Sequence, residues 1–593
     1  MQTPPNPTPV AITRPTGGSL WIHLVCYIAL LSLVVLLFPP DASFTSDDGA
    51  YGGQVWALGQ QQWSLDRPLA VVDQANEGWF NTSITSSGPI PYTANPAWPT
   101  GLHYFAEAFG PHNPQQAGDL GRALSVLPAA GAALGAVAAW LCCSIWDRRS
   151  APMAFWLTAL SPVVVNATTL WAHSVSTGLS GIALWLFCLS LRLSQAPSRA
   201  DSHPSPPRVA LRLSTHAAEL GTVICLSMLA LVRTDGVFWI AGLAVAVAAI
   251  DPTRAKLYKA SVLLTPGVVV WFTSRWWGAT LRHDRLDIAT SVEALAPPSG
   301  FVAARLKAAW HLGFSATEST MATTLTTLSL LIVAWGAFRL ATDRPWSGQI
   351  LVVGASGYAL KTALFPTELI SGLLAAWPIV IVILALAAKA YSAQFASRPK
   401  GPPINQKHRK ACVDQTIPAI LVIPTLVVLA AVLATQYRGA GGVQWGGRYL
   451  STLIVPLAVT GALTWTRFKP KPPLANLAIA LLATIPSLGG LAASYNTHLN
   501  HQNLVEQATV GHPDVVLTDI PALPRLAWPA LPVAFYLADD ATAITMLEQL
   551  AEADVKRVNV FGPLIGADYE GSYQLLGQHD DVVLLELGSK PSP

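Results

Sequence analysis

The chain has 593 residues, of which 52% are hydrophobic and only 12% are charged, and its formal net charge is +3. Soluble globular proteins carry about 25% charged residues, so this deficit predicts a protein whose surface largely faces lipid. The small net charge gives no reason to expect nucleic acid as a partner. The six cysteines show no metal-ligand spacing, and they predict no disulfide framework outside the apolar runs.

Apolar runs follow one another through most of the chain. Residues 1–19 precede them and are predicted to be a disordered cytoplasmic N-terminus. Runs of about 17–25 residues are long enough to cross the hydrocarbon core of a membrane. We count thirteen of them, at 20–38, 122–146, 151–170, 174–193, 217–232, 236–250, 258–275, 320–338, 347–365, 370–388, 416–436, 449–466 and 473–492. The pattern predicts a polytopic α-helical membrane domain over 20–492.

Basic residues concentrate in alternate short loops, as they do on the cytoplasmic side of membrane proteins. If the N-terminus is cytoplasmic, most Lys and Arg residues fall in inner loops, whereas segment 39–118 contains only Arg67. The asymmetry predicts that the N-terminus is inside and the C-terminus outside. Segments 39–118, 276–319 and 493–593 are then extracytoplasmic.

The C-terminal segment 493–593 is predicted to be a small extracytoplasmic α/β domain. DVVLTD, AFYLA, VKRVNVF and DVVLLEL resemble short strands, and TAITMLEQLAEA has the period of an amphipathic helix. No glycine-rich phosphate loop follows these strands, so nothing indicates a nucleotide-binding site. Its role stays open.

Two adjacent carboxylates, Asp47 and Asp48, open the first external segment directly after the first apolar run. Such charges at a membrane boundary are costly to desolvate. The pair can supply a general base, or it can hold a divalent metal such as Mg²⁺ or Mn²⁺. It also fits a solvated loop in which an acidic residue caps the helix predicted from Tyr51 to Gln61.

Further short motifs follow the acidic pair in a definite order. They are an aromatic residue at Tyr51, a proline–aromatic segment over 96–104, Arg122 with Ser125, Arg233-Thr234-Asp235-Gly236, and Trp445-Gly446-Gly447-Arg448-Tyr449-Leu450. This order resembles the GT-C glycosyltransferases, a superfamily that includes the protein O-mannosyltransferases and the aminoarabinose transferases of lipid A. The resemblance covers about 20–250 well and 415–466 more loosely.

The resemblance implies a transferase that uses a polyprenyl-phosphate sugar, inverts the anomeric carbon and works on the extracytoplasmic face of the plasma (inner) membrane. It gives Asp47 the role of general base in attack by a hydroxyl of a cell-envelope glycan, lipid or protein. Membrane lipid is a further expected partner. The sugar, the acceptor and any metal requirement stay open.

Arginines at the outer boundary suit the phosphate of the donor, because a guanidinium offers a planar bidentate fork. The candidates are Arg122, Arg233, Arg275 and Arg448. Candidates for contact with the substrate are Tyr51, Trp98, His103 and His173. Each of these side chains can also be an ordinary residue of the membrane interface, where Arg, Trp and His are common.

A transporter or flippase of lipid-linked sugars is the alternative to an enzyme, and a non-catalytic membrane scaffold is a third class. A transporter predicts ionisable residues inside spans and broken helices at the midplane. Charged residues here lie almost wholly at span ends, with Lys361 the main exception, and no internal repeat is found. A scaffold predicts nothing for the acidic first loop. The pattern favours the enzyme.

Overall fold

The computed structural model describes most of the chain. The described residues are 17–39, 42–63, 84–85, 88–89, 96–194, 208–250, 254–281, 301–314, 319–396, 406–435, 445–467, 473–562, 573–579 and 582–587. Within them, Arg122, the acidic pair and the arginine motifs are all placed. Arg67, and much of segment 276–319, lie outside the described residues.

Helices dominate the fold. In chain order they are α1 (Gly17–Leu37), α2 (Ser46–Gly59), α3 (Ala97–Phe109), α4 (Gly121–Ser144), α5 (Ala151–Ala159), α6 (Pro162–Asn166), α7 (His173–Ser194), α8 (Arg208–Val232), α9 (Gly236–Ile250), α10 (Arg254–Leu281), α11 (Phe301–Gly313), α12 (Thr320–Ala341), α13 (Ser347–Leu364), α14 (Leu373–Ala376), α15 (Ile379–Ala396), α16 (Gln406–Thr435), α17 (Ile454–Arg467), α18 (Pro473–Ala508), α19 (Leu523–Leu526) and α20 (Asp540–Glu552). Short 3₁₀ helices occupy Ala117–Leu120, Arg448–Leu453 and Trp528–Ala530.

Seven helical stretches among the described residues are long and apolar enough to cross a membrane. They are Ser19–Leu37, Ala117–Ser144, His173–Ser194, Leu213–Val232, Thr320–Ala341, Arg448–Arg467 and Pro473–Ala508. Shorter apolar helices lie at Gly236–Ala249, Ile379–Ser392 and Ile420–Thr435. The chain is therefore a mostly helical, multi-pass membrane protein, as its composition predicted. The exact count of thirteen spans is not confirmed.

Several predicted spans differ from the structure, and the run 370–388, for example, is divided between α14 and α15. The run 151–170 is divided into α5 and α6, because Ser161 caps a new helix with Pro162 at its first position: the Ser161 hydroxyl accepts from the Val163 N–H at 3.2 Å. The last run does not end at 492, since α18 continues to Ala508. Its polar final turns carry the chain towards the sheet.

The C-terminal segment contains a five-stranded mixed sheet. Its strands are β3 (Val515–Thr518), β4 (Ala534–Leu537), β5 (Arg557–Phe561), β6 (Tyr573–His579) and β7 (Val582–Leu587). Strands β1 (Ile84–Thr85) and β2 (Gly88–Pro89) form a separate two-stranded hairpin in segment 39–118. The order is β4-β3-β5-β7-β6, parallel between β4, β3 and β5 and antiparallel between β5, β7 and β6. The four segments predicted as strands are confirmed, and α20 is the predicted helix. Strand β6 was not predicted.

The sheet packs on helices from segment 39–118, which the sequence did not reveal. Ala50 and Val55 of α2 and Trp98 of α3 share one buried hydrophobic cluster with Val515 and Tyr536 of the sheet. A second and larger cluster fills the interior of the helical bundle. The start of α2 therefore lies between the bundle and the C-terminal segment.

Candidate active site

Asp48 is buried and its carboxylate accepts three backbone N–H groups. It lies in the first turn of α2, where its Oδ2 accepts the N–H groups of Phe44 and Thr45 at 3.1 and 3.2 Å. Its Oδ1 accepts the N–H of Leu170 at 2.9 Å, and the residue is 1% exposed. The side chain therefore caps its own helix and also ties α2 to the segment that leads into α7.

The environment of Asp48 favours its neutral form. Burial raises the pKa of this carboxyl from 3.8 to about 8, and the charge of Asp47 acts in the same direction. The backbone N–H groups of Leu170 and Thr45, and the charge of Arg448, lower it by less. Near neutral pH, Asp48 is thus poorly suited to remove a proton from a substrate.

The raised pKa of Asp48 makes stability depend on pH. A carboxyl whose pKa is higher in the folded than in the unfolded state stabilises the fold fully below its ordinary pKa, and this contribution is lost as the pH rises through the folded value. The melting temperature of the purified protein should therefore fall between about pH 4 and pH 8. In Asp48→Asn, which cannot titrate, that part of the fall should be absent and turnover near neutral pH should stay within a few-fold. If the melting temperatures of the two proteins changed with pH in parallel, the raised pKa of Asp48 would be contradicted.

Asp47 points in a different direction and forms an ion pair with Arg448, which is remote from it in sequence. Its Oδ2 lies 3.0 Å from Nη2 of Arg448. The Asp47 side chain is 29% exposed, whereas that of Arg448 is 6% exposed. Since neighbouring positions in a helix project in different directions, one acid is accessible and the other is not. The accessible one is Asp47.

Arg448 is held by aromatic rings. Its guanidinium carbon lies 4.3 Å from the ring centre of Trp171 and 5.0 Å from that of Tyr449, and Nη2 donates to the Tyr449 hydroxyl at 3.1 Å. The preceding Gly446 and Gly447 have φ angles of +66° and +59°, a region that favours glycine. Their N–H groups donate to the carbonyls of the 370–371 loop. The local backbone thus places Arg448 at the base of the site.

Arg233 places a second guanidinium near the ring of Tyr449. Its Nε donates to Oδ1 of Asp235 at 2.7 Å, and its Nη1 donates to Nε2 of His173 at 3.1 Å. Because a guanidinium can only donate, His173 Nε2 is the acceptor and carries no proton. The Arg233 guanidinium carbon lies 5.9 Å from the ring centre of Tyr449. We call Trp171, His173, Arg233, Arg448 and Tyr449 the arginine–aromatic cluster.

Some predicted site residues have other contacts. Arg122 is exposed at the start of α4. His103 lies 3.4 Å from Glu107 on its own helix, and Trp98 is 2% exposed with its indole N–H donating to the carbonyl of Leu170 at 2.7 Å. Trp98 therefore supports the backbone next to Asp48 and offers no open ring face. Tyr51 is partly buried and packs against both hydrophobic clusters.

Three residues of the site were not singled out from the sequence. Tyr449 directly follows Arg448 in its motif, and Trp171 precedes His173 by two positions, so proximity in sequence was an available signal for both. Asp235 lies inside the motif of Arg233 and was noted only as part of the pattern. Its pairing with that arginine follows from their shared turn between α8 and α9.

The acidic pair does not fit a metal held by both carboxylates. Such a site needs free carboxylate oxygens, but Asp48 accepts three backbone N–H groups and Asp47 pairs with Arg448. Over the part of the chain that the structure describes, no three His, Cys, Asp or Glu side chains are grouped so that they could hold a metal ion.

A small open cleft lies beside Asp48. The end of α1, the first turns of α4 and the segment before α7 surround it, with Asp48, Ser125, Thr168, His498 and Trp528 in its lining. One wall is apolar, formed by residues such as Val35 and Phe38. The site thus has an ion pair on one side of α2 and an amphipathic cleft on the other.

No family model matches the chain, and no curated protein matches it. Among solved structures, it is similar to ArnT from Cupriavidus metallidurans bound to undecaprenyl phosphate, with 12% identity and a TM-score of 0.47 over 97% of this chain and 98% of that chain. It is also similar to the Archaeoglobus fulgidus oligosaccharyltransferase tethered with an acceptor peptide, with 13% identity and a TM-score of 0.46 over 92% of this chain and 69% of that chain.

Proposed function

We propose that the chain is a membrane glycosyltransferase that moves a sugar from a polyprenyl-phosphate donor to an extracytoplasmic hydroxyl, with inversion at the anomeric carbon. The observation that carries this proposal is the pairing of accessible Asp47 with buried Arg448 at 3.0 Å. The pairing supports the proposal because this reaction needs a general base and a fixed cation, and a carboxylate beside a guanidinium can supply both. The acceptor is a hydroxyl of a cell-envelope glycan, a lipid or a protein.

Asp47 is the proposed base. Its carboxylate accepts the proton of the acceptor hydroxyl while the hydroxyl oxygen attacks the anomeric carbon from the face opposite the phosphate. The new carbon–oxygen bond forms as the bond from the anomeric carbon to the phosphate oxygen breaks, and the bonding electrons leave with the polyprenyl phosphate. The 29% exposure of the Asp47 side chain supports this role, and the burial of Asp48 argues against its taking it.

Arg448 and Arg233 are the proposed phosphate ligands. Both guanidiniums lie against the ring of Tyr449, at 5.0 and 5.9 Å from its centre. Asp235 and His173 accept from Arg233 and hold its orientation, so part of the cost of ordering it is met before the donor binds. An incoming phosphate competes with Asp47 for Arg448. Binding of the donor would in this way release the base.

The proposed location is the plasma (inner) membrane, with the site on the extracytoplasmic face. The scarcity of basic residues in segment 39–118, and their abundance in alternate loops, support this orientation. Asp47 then lies just outside the first apolar helix, where the headgroup of a lipid-linked donor is found.

Lys361, the main internal charge that would favour a transporter, has a structural explanation. Lys361 is 3% exposed in the last turn of α13, and its Nζ donates to the carbonyl of Glu368 at 3.1 Å. A lysine near a helix C-terminus can satisfy backbone carbonyls in the turn that follows. Lys361 thus holds the turn after α13, and this contact gives no support to a transport path.

Deletion of the gene tests the proposed function. If the chain consumes a lipid-linked sugar, mass spectrometry of the cell envelope should show one polyprenyl-phosphate sugar accumulating and one glycan modification disappearing. The wild-type gene should restore both, whereas the gene for Asp47→Asn should restore neither. Unchanged lipid-linked sugars in the deletion strain would contradict the proposal.

A further inference from the structure

Trp528 connects the C-terminal segment to the loop that carries the acidic pair. The residue is 1% exposed, and its indole N–H donates to the hydroxyl of Ser43 at 2.8 Å. Ser43 is itself 1% exposed and directly precedes Phe44. The N–H groups of Phe44 and Thr45 are the two that Asp48 accepts. The C-terminal segment is therefore hydrogen-bonded to the residue that directly precedes the turn capped by Asp48.

The same tryptophan lies against the glycine-rich side of α2. A Cβ built at Gly52 would overlap the ring of Trp528, and a Cβ built at Gly49 would overlap the carbonyl oxygen of Arg525. The backbone of the first two turns of α2 thus contacts the backbone of α19 at Arg525 and the side chain of Trp528 in the 3₁₀ helix after it. Gly59, near the end of α2, would meet nothing within 4 Å. The close approach is confined to the end of the helix that carries Asp47.

Two further bonds tie the same region to its surroundings. The Nδ1 of His501, in α18, donates to the carbonyl of Ser43 at 2.7 Å. The N–H of Ala117, just before α4, donates to the carbonyl of Leu531, three residues after Trp528. Trp528 and Asp48 also line the same cleft. The loop before α2 is therefore held on both sides by residues after position 492.

We propose that Trp528 is a positioning residue for Asp47, and that the C-terminal segment is part of the catalytic machinery. Trp528 acts through Ser43 and through the glycine side of α2. Together these contacts set the direction in which Asp47 leaves the helix and keep it within reach of Arg448 and of the acceptor hydroxyl. The inference rests on the proposed role of Asp47 as base.

A pair of conservative substitutions tests the hydrogen bond. Trp528→Phe removes the donor and keeps an aromatic ring, and Ser43→Ala removes the acceptor. Each should lower kcat of the purified full-length protein about five- to tenfold, the effect of one buried hydrogen bond, while KM for the lipid-linked donor stays within about twofold. The double variant should be no slower than the slower single variant, because both remove the same contact.

A glycine pair tests the contact with α2. Gly52→Ala should lower kcat at least about tenfold, since displacing a catalytic group by about 1 Å is this costly. Gly59→Ala, on the same helix, should leave kcat at the wild-type value. All rates are expressed per folded enzyme, with the folded fraction taken from the thermal transition in detergent.

The outcomes separate this inference from the function on which it rests. Wild-type kcat in Trp528→Phe and Ser43→Ala, or effects that multiply in the double variant, would overturn the positioning role, even if the melting temperatures fall. Asp47→Asn is assayed alongside. If that variant is inactive and the Trp528 and Ser43 variants are not, the proposed function stands and only the inference fails; if Asp47→Asn is active, the function itself fails.

Discussion

Replacing Asp47 by Asn should reduce sugar transfer at least about 100-fold, the size of effect expected when a general base is lost. Asparagine has nearly the same shape and can still accept from Arg448, but it cannot take a proton from the acceptor hydroxyl. The protein should reach the membrane in normal amount, because the Asp47 side chain is 29% exposed and is not part of the buried core. The measurement is the initial rate of the purified enzyme with a lipid-linked sugar donor.

A carboxylate outside the site serves as the control for Asp47→Asn. Asp540 lies exposed in the first turn of α20, and Asp540→Asn should transfer sugar at the wild-type rate. If Asp47→Asn kept near-wild-type turnover, the ion pair with Arg448 would have no catalytic meaning. The base would then have to be sought elsewhere.

Replacing Arg448 by Ala should reduce kcat by about 10²–10³-fold, the usual cost of removing one group that stabilises developing negative charge. The side chain is 6% exposed and lies 4.3 Å from the ring centre of Trp171, so water cannot readily replace its charge. Arg448→Lys keeps the charge but loses the planar fork and the stacking. We expect Lys to recover only part of the lost rate, and added guanidinium to recover part of it in Arg448→Ala.

Arg339 provides the matched control for Arg448. It also stacks on an aromatic ring, with its guanidinium carbon 5.8 Å from the centre of Trp335, and it donates to the backbone carbonyl of Pro345. Arg339 lies in the last turn of α12, at a helix end that is predicted to be cytoplasmic. Arg339→Ala should therefore leave transfer unchanged. Equal losses in the two alanine variants would indicate a general effect on folding, and would remove the phosphate role from Arg448.

The local features of this protein follow from its sequence. The apolar runs predicted a multi-pass membrane protein, and short runs rich in β-branched, aromatic and other apolar residues predicted strands β3, β4, β5 and β7. Ser161 and Pro162 carried a signal for the break between α5 and α6, which the count of long apolar runs passed over. These features depend on a few consecutive residues, whose period and capping preferences are legible without knowledge of the rest of the chain.

The site itself was decided only by tertiary structure. The sequence named Asp47, His173, Arg233 and Arg448 separately, but nothing in it brings Arg448 to 3.0 Å from Asp47. The different fates of the two acids could not be predicted either. Asp48 is buried because the N–H of Leu170, remote in sequence, meets its carboxylate.

The contact between Trp528 and Ser43 belongs to the same class of feature. Such pairings depend on how helices pack and on which backbone groups remain to be satisfied, and a polar group is buried only where a partner from another segment reaches it. The sequence by itself thus determined which local elements form and which residues can carry chemistry. The packing of distant segments decided which of those residues meet.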